Sequence, residues 1–500
     1  MPLSFVTSSS VALLGVICTL PLLGSIAIAI GRKQRFAALA TMAIALSFAL
    51  SLVALTASAL APAASNGLVR LDRLCAVMLV LVTGVSAIVH AFSMRYLDSD
   101  PAYARFFGWL SFVTSGVLFV VASNNLALLA LAWVSVSLGL FGLQTHFADR
   151  PTALAAARAM RIAHLIGDGA LVLGCVVLGA QTHEIRIDLA FAQALHEAPS
   201  FISIVVGLVA IAAFSKSSQI PFHRWLPDTM EAPTPVSALM HAGIVNAGGF
   251  LLARFSPLLG HAPVATSLIF LVGAATALWG VGCMLVRSDV KRGLAFSTQG
   301  QMGYMIAQCG LGAFPAAILH LFAHGVFKAT LFLGSGYAVH AEKRELRASS
   351  LAHAGSERRW IGVTAAILVA PVGVVTALSS LGRSLPPYGW ILLAFATLTC
   401  MQLVFAIVKR GTVVEIGAAA LLVATALPGY TVLVRSFDRF LAPDVSATAL
   451  LVAPPLAILI VGIFACGLVL GWGRIPVPRA LRDRTYVWFL TERLPFGIAR

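Results

Sequence analysis

The chain has 500 residues, of which 59% are hydrophobic and only 11% charged, with a mean hydropathy of +0.94. A soluble globular protein carries about a quarter of its residues as Asp, Glu, Lys and Arg, so this composition excludes that class and specifies an integral membrane protein. The excess of 34 Lys+Arg over 19 Asp+Glu lies between apolar segments, where it bears on orientation in a bilayer rather than on nucleic acid.

Apolar runs of roughly 20 residues, each long enough to cross a bilayer as a helix, recur along nearly the whole chain. They predict an all-α, polytopic fold of about fifteen transmembrane helices, at 9–31, 36–61, 73–94, 106–123, 125–147, 160–181, 200–220, 233–256, 264–287, 290–311, 314–340, 360–382, 387–408, 412–435 and 450–472. The first run has no basic leader and no convincing small-residue cleavage site, so it is expected to be a retained span with no soluble extension before it. With the N-terminus outside, alternation of the spans puts 25 Lys and Arg in inner loops and tail and 7 in outer loops, leaving Lys216 and Lys328 within spans. That bias predicts an outside N-terminus and a cytoplasmic C-terminus.

Two longer loops, 182–199 and 341–359, are expected to hold surface helices. The basic tail from Arg474 to Arg500 interleaves Tyr486, Trp488, Phe489 and Phe496, which predicts an amphipathic segment at the lipid interface or on a cytoplasmic partner. The seven cysteines are singletons without a C-x-x-C pair, and small buried side chains are their expected role.

Ionisable groups are costly at mid-bilayer, so those inside spans are functional candidates. Lys216 lies in AFSKSSQIP, with Pro221 five residues on. The proline removes a backbone donor and disrupts the helix near the lysine, an arrangement used for transporter sites; the competing reading is a lysine snorkelling to the inner surface. His241 stands early in the following span and by itself suits either helix packing or proton carriage. In ILHLFAHGVFKATLFL, His320, His324 and Lys328 are spaced i, i+4, i+8, which lines them on one helix face at steps of about 6 Å. Imidazoles ending in a buried amine can pass protons through intervening waters. A His-x-x-x-His pair also suits zinc or haem, but no cysteine or carboxylate adjoins it and there is no H-E-x-x-H arrangement. Asp168 is the one acid well inside a span of the first half. It is expected either to pair with Arg161 on its own helix or to tune Lys216. Asp228 and Glu231 are expected to cap the helix that begins near Pro233.

The segments FSKSSQIPFHRWLPDTMEAPTPVSALMHAGIVNAGGFLLAR and SDVKRGLAFSTQGQMGYMIAQCGLGAFPAAILHLFAHGVFKATLFLGSG resemble the core of the antiporter-like, proton-translocating membrane subunits of respiratory NADH dehydrogenase (subunit 5) and Mrp-type cation/proton antiporters. The resemblance covers roughly residues 125–337 and implies a fourteen-helix core of two inverted repeats, about 106–256 and 264–408, each with a broken helix, inside a transmembrane domain 1–473 followed by the tail 474–500. Carried over residue by residue, Lys216 resembles the broken-helix lysine, His241 the histidine of the next helix, and His320, His324 and Lys328 the connecting relay. Two positions depart from the family: Val134 stands where a glutamate usually pairs with that lysine, and the twelfth span has Pro371 for a break but no lysine.

Within the family, MEAPTPVSALMHAGIVNAGGFLLAR is similar to the membrane subunit of DAB-type inorganic-carbon accumulation complexes, the DabB group. That similarity implies a bacterial inner-membrane protein, H+ or Na+ flow, and a DabA-like, zinc-bearing, carbonic-anhydrase-like partner, with no cofactor or metal in this chain and no bond-making chemistry of its own. The alternatives are a proton-pumping subunit of a respiratory or hydrogenase-associated complex, and a scaffold that has lost the relay.

Overall fold

A computed structural model of the chain describes residues 3–31, 34–348, 388–408, 412–445, 452, 454–471 and 479–492. Eleven described helices are long and apolar enough to cross a membrane. Three further helices, Val290–Gly310, Gly389–Ile407 and Pro454–Gly471, coincide with expected spans. The expected span at 360–382, with Pro371, lies outside the described residues, as do the loop from 349 onward and the end of the tail.

The first helices are α1 (Leu3–Gly31), α2 (Gln34–Leu60), α3 (Arg73–Tyr96), α4 (Tyr103–Ala122), α5 (Leu126–Gln144) and α6 (Pro151–Thr182). A backbone in hydrocarbon must satisfy its own polar groups, which is why apolar runs resolve into helices and why helix ends recruit side chains. Asp72 caps α3 by accepting from Cys75 N at 2.8 Å, and Asn125 caps α5 by accepting from Ala127 N and Leu128 N. The 182–199 segment does contain a short helix, α7 (Ile187–Ala194), before α8 (Pro199–Lys216).

After α8 the chain is irregular, then forms the turn α9 (Trp225–Asp228), α10 (Thr234–Ala242), α11 (Ala247–Arg254) and the short α12 (Ser256–Leu259). Three long helices follow: α13 (Pro263–Leu285), α14 (Val290–Gly310) and α15 (Phe314–Ala348). Helices α13 and α14 meet backbone to backbone: a Cβ on Gly280 would lie 2.4 Å from Gly300 N. Small residues of this kind let membrane helices approach closely.

Charged groups collect at the helix ends as the alternation of spans requires. At one end, Arg254 pairs with the buried Asp72, Arg70 bridges Asp72 (3.0 Å) and Asp444 (3.3 Å), and a small hairpin pairs Ala64–Ser65 with Arg70–Leu71. The opposite end holds the His146–Asp100 contact (3.0 Å) and the Asp228–Arg292 pair (3.2 Å). Cys18, Cys75, Cys175, Cys283 and Cys309 are buried and Cys400 is half-buried.

Candidate functional site

Helix α8 ends at Lys216 through a Schellman-type closure. Gln219 N donates to Phe214 O (2.8 Å), Ser218 N to Ser215 O (3.4 Å), and Ser218 takes the left-handed conformation at φ 54°. A side chain other than glycine is disfavoured there, and neighbouring groups hold it in place. Ser218 Oγ donates to His223 O (3.0 Å), while Gln299 Nε2 on α14 donates to His223 O (2.6 Å) and Ser218 O (3.2 Å). The chain has left the helix before it reaches Pro221, so the proline lies in the irregular stretch and not within a helical turn. Ile220 N in that stretch donates to Thr276 Oγ1 on α13 (3.1 Å).

Lys216 is 1% exposed, and its ammonium has three acceptors, one for each N–H. Nζ donates to Asp168 Oδ1 (3.1 Å), Trp133 O (3.3 Å) and Ser137 Oγ, and lies 4.9 Å from the centroid of the Trp133 ring. Helices α5, α6 and α8 therefore converge on one cation. Gly167 permits this, because a Cβ there would meet Ser215 Cβ at 2.4 Å and push α6 off α8. Arg161, the local alternative for Asp168, instead lies over the Phe141 ring at 5.1 Å. Val134, at the family's usual acidic position, is 41% exposed, and the carboxylate reaching Lys216 comes from the next helix.

The eighth span is broken as well, immediately after His241. Helix α10 stops at Ala242, residues Ile244–Asn246 form one 3-10 turn, and α11 resumes at Ala247. The freed carbonyls find side chains: Ala242 O accepts from Asn246 Nδ2 (2.7 Å) and Val245 O from Ser217 Oγ (2.6 Å). The second contact fastens one break to the other. Gly248 completes the junction, since a Cβ there would lie 2.6 Å from Ala213 O of α8. The density of glycine in HAGIVNAGG was the available signal for this break.

His241 is fully buried and stacks on Phe332 of α15, centroids 4.3 Å apart. On α15 the expected ladder is present: Lys328 Nζ donates to Ser297 Oγ (2.9 Å) and Leu294 O (3.4 Å), and the His320 and His324 rings lie 6.1 Å apart. His241 is within electrostatic range of both His324 and Lys328. Both ring nitrogens of His241 and of His324 have no hydrogen-bond partner among the described residues. Two ionisable groups thus flank the paired breaks, one built on Lys216 and Asp168, the other on His241, Lys328, His324 and His320. Among the described residues no three His, Cys, Asp or Glu side chains converge as a metal site.

One expectation is corrected. Asp228 does not cap the helix at Pro233: α10 starts without a side-chain cap, and Asp228 pairs with Arg292. The tail helix Arg479–Thr491 packs part of its apolar side on the protein itself, with Trp488 and Phe489 against Trp279 (4.9 and 5.6 Å) and Glu492 paired with Arg292 (2.7 Å) and Arg287.

Residues 123–356 match the family described as NADH:quinone oxidoreductase/Mrp antiporter, TM, and residues 66–107 match NADH-Ubiquinone oxidoreductase (complex I), chain 5 N-terminus. The probable inorganic carbon transporter subunit DabB1 of Halothiobacillus neapolitanus is 36% identical over 407 residues, 76% of this chain and 71% of that protein. The chain belongs to the antiporter-like membrane subunit family. NADH-quinone oxidoreductase subunit L of Rhodobacter capsulatus is 40% identical over 319 residues, 60% of this chain and 44% of that subunit, so this chain spans less than half of its length. Among solved structures, the Mrp complex from Dietzia sp. DQ12-45-1b matches with a TM-score of 0.59 and 25% identity, over 97% of this chain and 59% of that one. The membrane-bound sulfane sulfur reductase, an archaeal respiratory membrane complex, matches with a TM-score of 0.61 over 96% of both chains, at 16% identity. That second likeness concerns the fold alone. The protein is therefore a multi-pass, antiporter-like subunit, and every candidate residue from Asp168 to Lys328 lies in the matched region.

Proposed function

We propose that this chain is the ion-conducting subunit of an energy-coupled inorganic-carbon uptake complex in a bacterial inner membrane. H+ or Na+ moving inward through Lys216, His241, Lys328, His324 and His320 would drive a cytoplasmic, zinc-bearing, carbonic-anhydrase-like partner that converts CO2 to bicarbonate. The observation that carries the ion-conducting part is the Lys216–Asp168 pair, 3.1 Å long and buried at the end of a broken helix. Such a pair binds a proton on the amine when closed and loosens it when the carboxylate withdraws, because a desolvated ammonium without a counter-charge is unstable. The similarity to a probable inorganic carbon transporter subunit supports the carbon-uptake part. In this reading the breaks after Lys216 and after His241 both belong to the first of two repeats, at about 106–256 and 264–408, the N-terminus is outside, and the chain makes no bonds itself.

A second reading, a proton-pumping subunit of a respiratory or Mrp-type complex, is supported by the NADH-quinone oxidoreductase subunits that match more than half of this chain. Purifying the full chain from its native membrane separates the two. A co-purifying large protein that contains zinc, together with protonophore-sensitive carbon uptake in cells lacking carbonic anhydrase, supports the first reading. Co-purifying quinone-oxidoreductase subunits without zinc overturn it in favour of the second.

A further inference from the structure

His164 stands one helical turn before Asp168 on α6, about 6 Å nearer the end that carries Arg150, Arg158 and Arg161. It is 1% exposed, yet neither ring nitrogen has a hydrogen-bond partner among the described residues. Trp225 meets the ring edge-on at 4.8 Å, but its indole N–H is committed to Ser215 O at 3.0 Å. The tryptophan therefore positions the imidazole without using either nitrogen. Buried polar groups in native proteins are almost always satisfied, and a polar site with room for water fills with it. The charged and titratable groups facing this ring are few. Lys216 of α8 lies within electrostatic range, and Asp168 and Arg161 share its helix. Arg161 is held over Phe141, and Asp228 of the α9 turn is engaged by Arg292.

We propose that His164 is a further proton-carrying side chain of this site, passing protons between the Lys216–Asp168 pair and the arginine-bearing end of α6. The proposal rests on the ion-conducting reading above. An N–H bond of the Lys216 ammonium breaks, and its proton travels through a bridging water to the unprotonated imidazole nitrogen. The resulting imidazolium releases the proton of its other nitrogen to water on the arginine side. Lys216 is left as a neutral amine, ready to be recharged from the His241 side. No electron transfer is involved. A neutral imidazole offers one donor and one acceptor nitrogen, so it can take a proton on one side and release one on the other.

The test uses inverted membrane vesicles from cells making the full chain at its own locus, with decay of an imposed pH gradient read by a pH-sensitive dye. His164→Phe keeps a flat ring against Trp225 and removes both nitrogens. It should leave chain abundance and thermal unfolding close to wild type and slow the decay at least about tenfold. In His164→Gly, added imidazole should restore several-fold of the lost rate, and it should do nothing for Lys216→Ala. Wild-type decay in His164→Phe, with decay abolished in Lys216→Ala, reduces His164 to a packing residue and overturns the proposal. A folded, assembled His164→Gly protein that imidazole does not rescue also overturns it. Wild-type decay in Lys216→Ala instead removes the ion-conducting reading itself, and this proposal with it.

Discussion

Lys216 and Asp168 are 48 positions apart on different helices, and the ammonium of one lies 3.1 Å from the carboxylate of the other. Both side chains are almost wholly buried, so each is the other's main compensation for leaving water. Removing one member of such a pair leaves an uncompensated buried charge and costs about 3–5 kcal/mol unless that group neutralises. Asp168→Asn and Lys216→Ala should therefore each abolish gradient-driven ion flux, and the double variant should be little worse than either single one. Flux in native-membrane vesicles is the measurement. Losses that simply multiply in the double variant would mean that the two residues act independently.

The corner after Lys216 depends on a distant helix. Gln299→Ala removes a donor from two buried carbonyls: His223 O keeps the Ser218 hydroxyl, while Ser218 O loses its side-chain donor. A buried acceptor left without its donor costs about 1–3 kcal/mol. Detergent-purified Gln299→Ala should unfold several degrees earlier than wild type in a thermal melt, and an unchanged melting temperature would show that water replaces the amide at no cost.

The α15 ladder should respond unequally. Lys328 is fully buried and tied to Ser297 and Leu294, so Lys328→Ala removes the amine of the ladder and should reduce flux at least about tenfold. His324→Ala and His320→Ala should each reduce it only about two- to threefold, since a water can bridge one missing rung. Equal losses for all three would argue for a rigid site over a water-linked chain.

Asp72, just ahead of α3, supplies the pH prediction. Burial alone would raise its carboxyl, but the guanidiniums of Arg254 and Arg70 and the Cys75 amide outweigh that and hold it below the usual carboxylate value. The folded state thus prefers the ionised form. Its contribution is complete above the unfolded value of about 3.9 and is lost as the pH falls through the lower folded value. Asp72→Asn should lower thermal stability at neutral pH and flatten the loss of stability seen on acidification below about pH 4. An acid limb of unchanged steepness would place that loss elsewhere.

Orientation is tested by labelling. A cysteine at Asn66, in the hairpin beside Arg70, should react with an impermeant thiol reagent in intact cells. One at Tyr486, in the tail helix, should react only after the membrane is opened. The reverse pattern would invert the topology.

The broad architecture was legible because a bilayer is a severe solvent. Runs long enough to cross it must become helices, and the runs read from the sequence match the described helices closely. The α14 span illustrates the limit: its Gln299 and Ser297 make it less apolar than its neighbours, and their purpose shows only in the bonds to the α8 corner and to Lys328. The common face of His320, His324 and Lys328 was also legible, because 3.6-residue periodicity lies within a single helix. Asp228 was misread as a cap because its real partner, Arg292, lies 64 residues away. The docking of the tail on Trp279 was hidden for the same reason, since amphipathicity shows that a face will be covered but not by what.

The sequence by itself therefore determined the membrane class, nearly every span, and the residues expensive enough in lipid to require a function. Only the tertiary structure decided that Lys216 pairs with Asp168 rather than with an acid at position 134, that His164 lies beside them with open nitrogens, and that the breaks after Lys216 and His241 are fastened through Ser217 and Val245. The physical reason is the reach of each constraint. Hydrophobic burial and helical periodicity act over neighbouring residues and can be read along the chain. Charge pairing and the satisfaction of freed carbonyls act across helix contacts set by the close approaches at Gly167 and Gly248, and these distances exist only once the helices are packed.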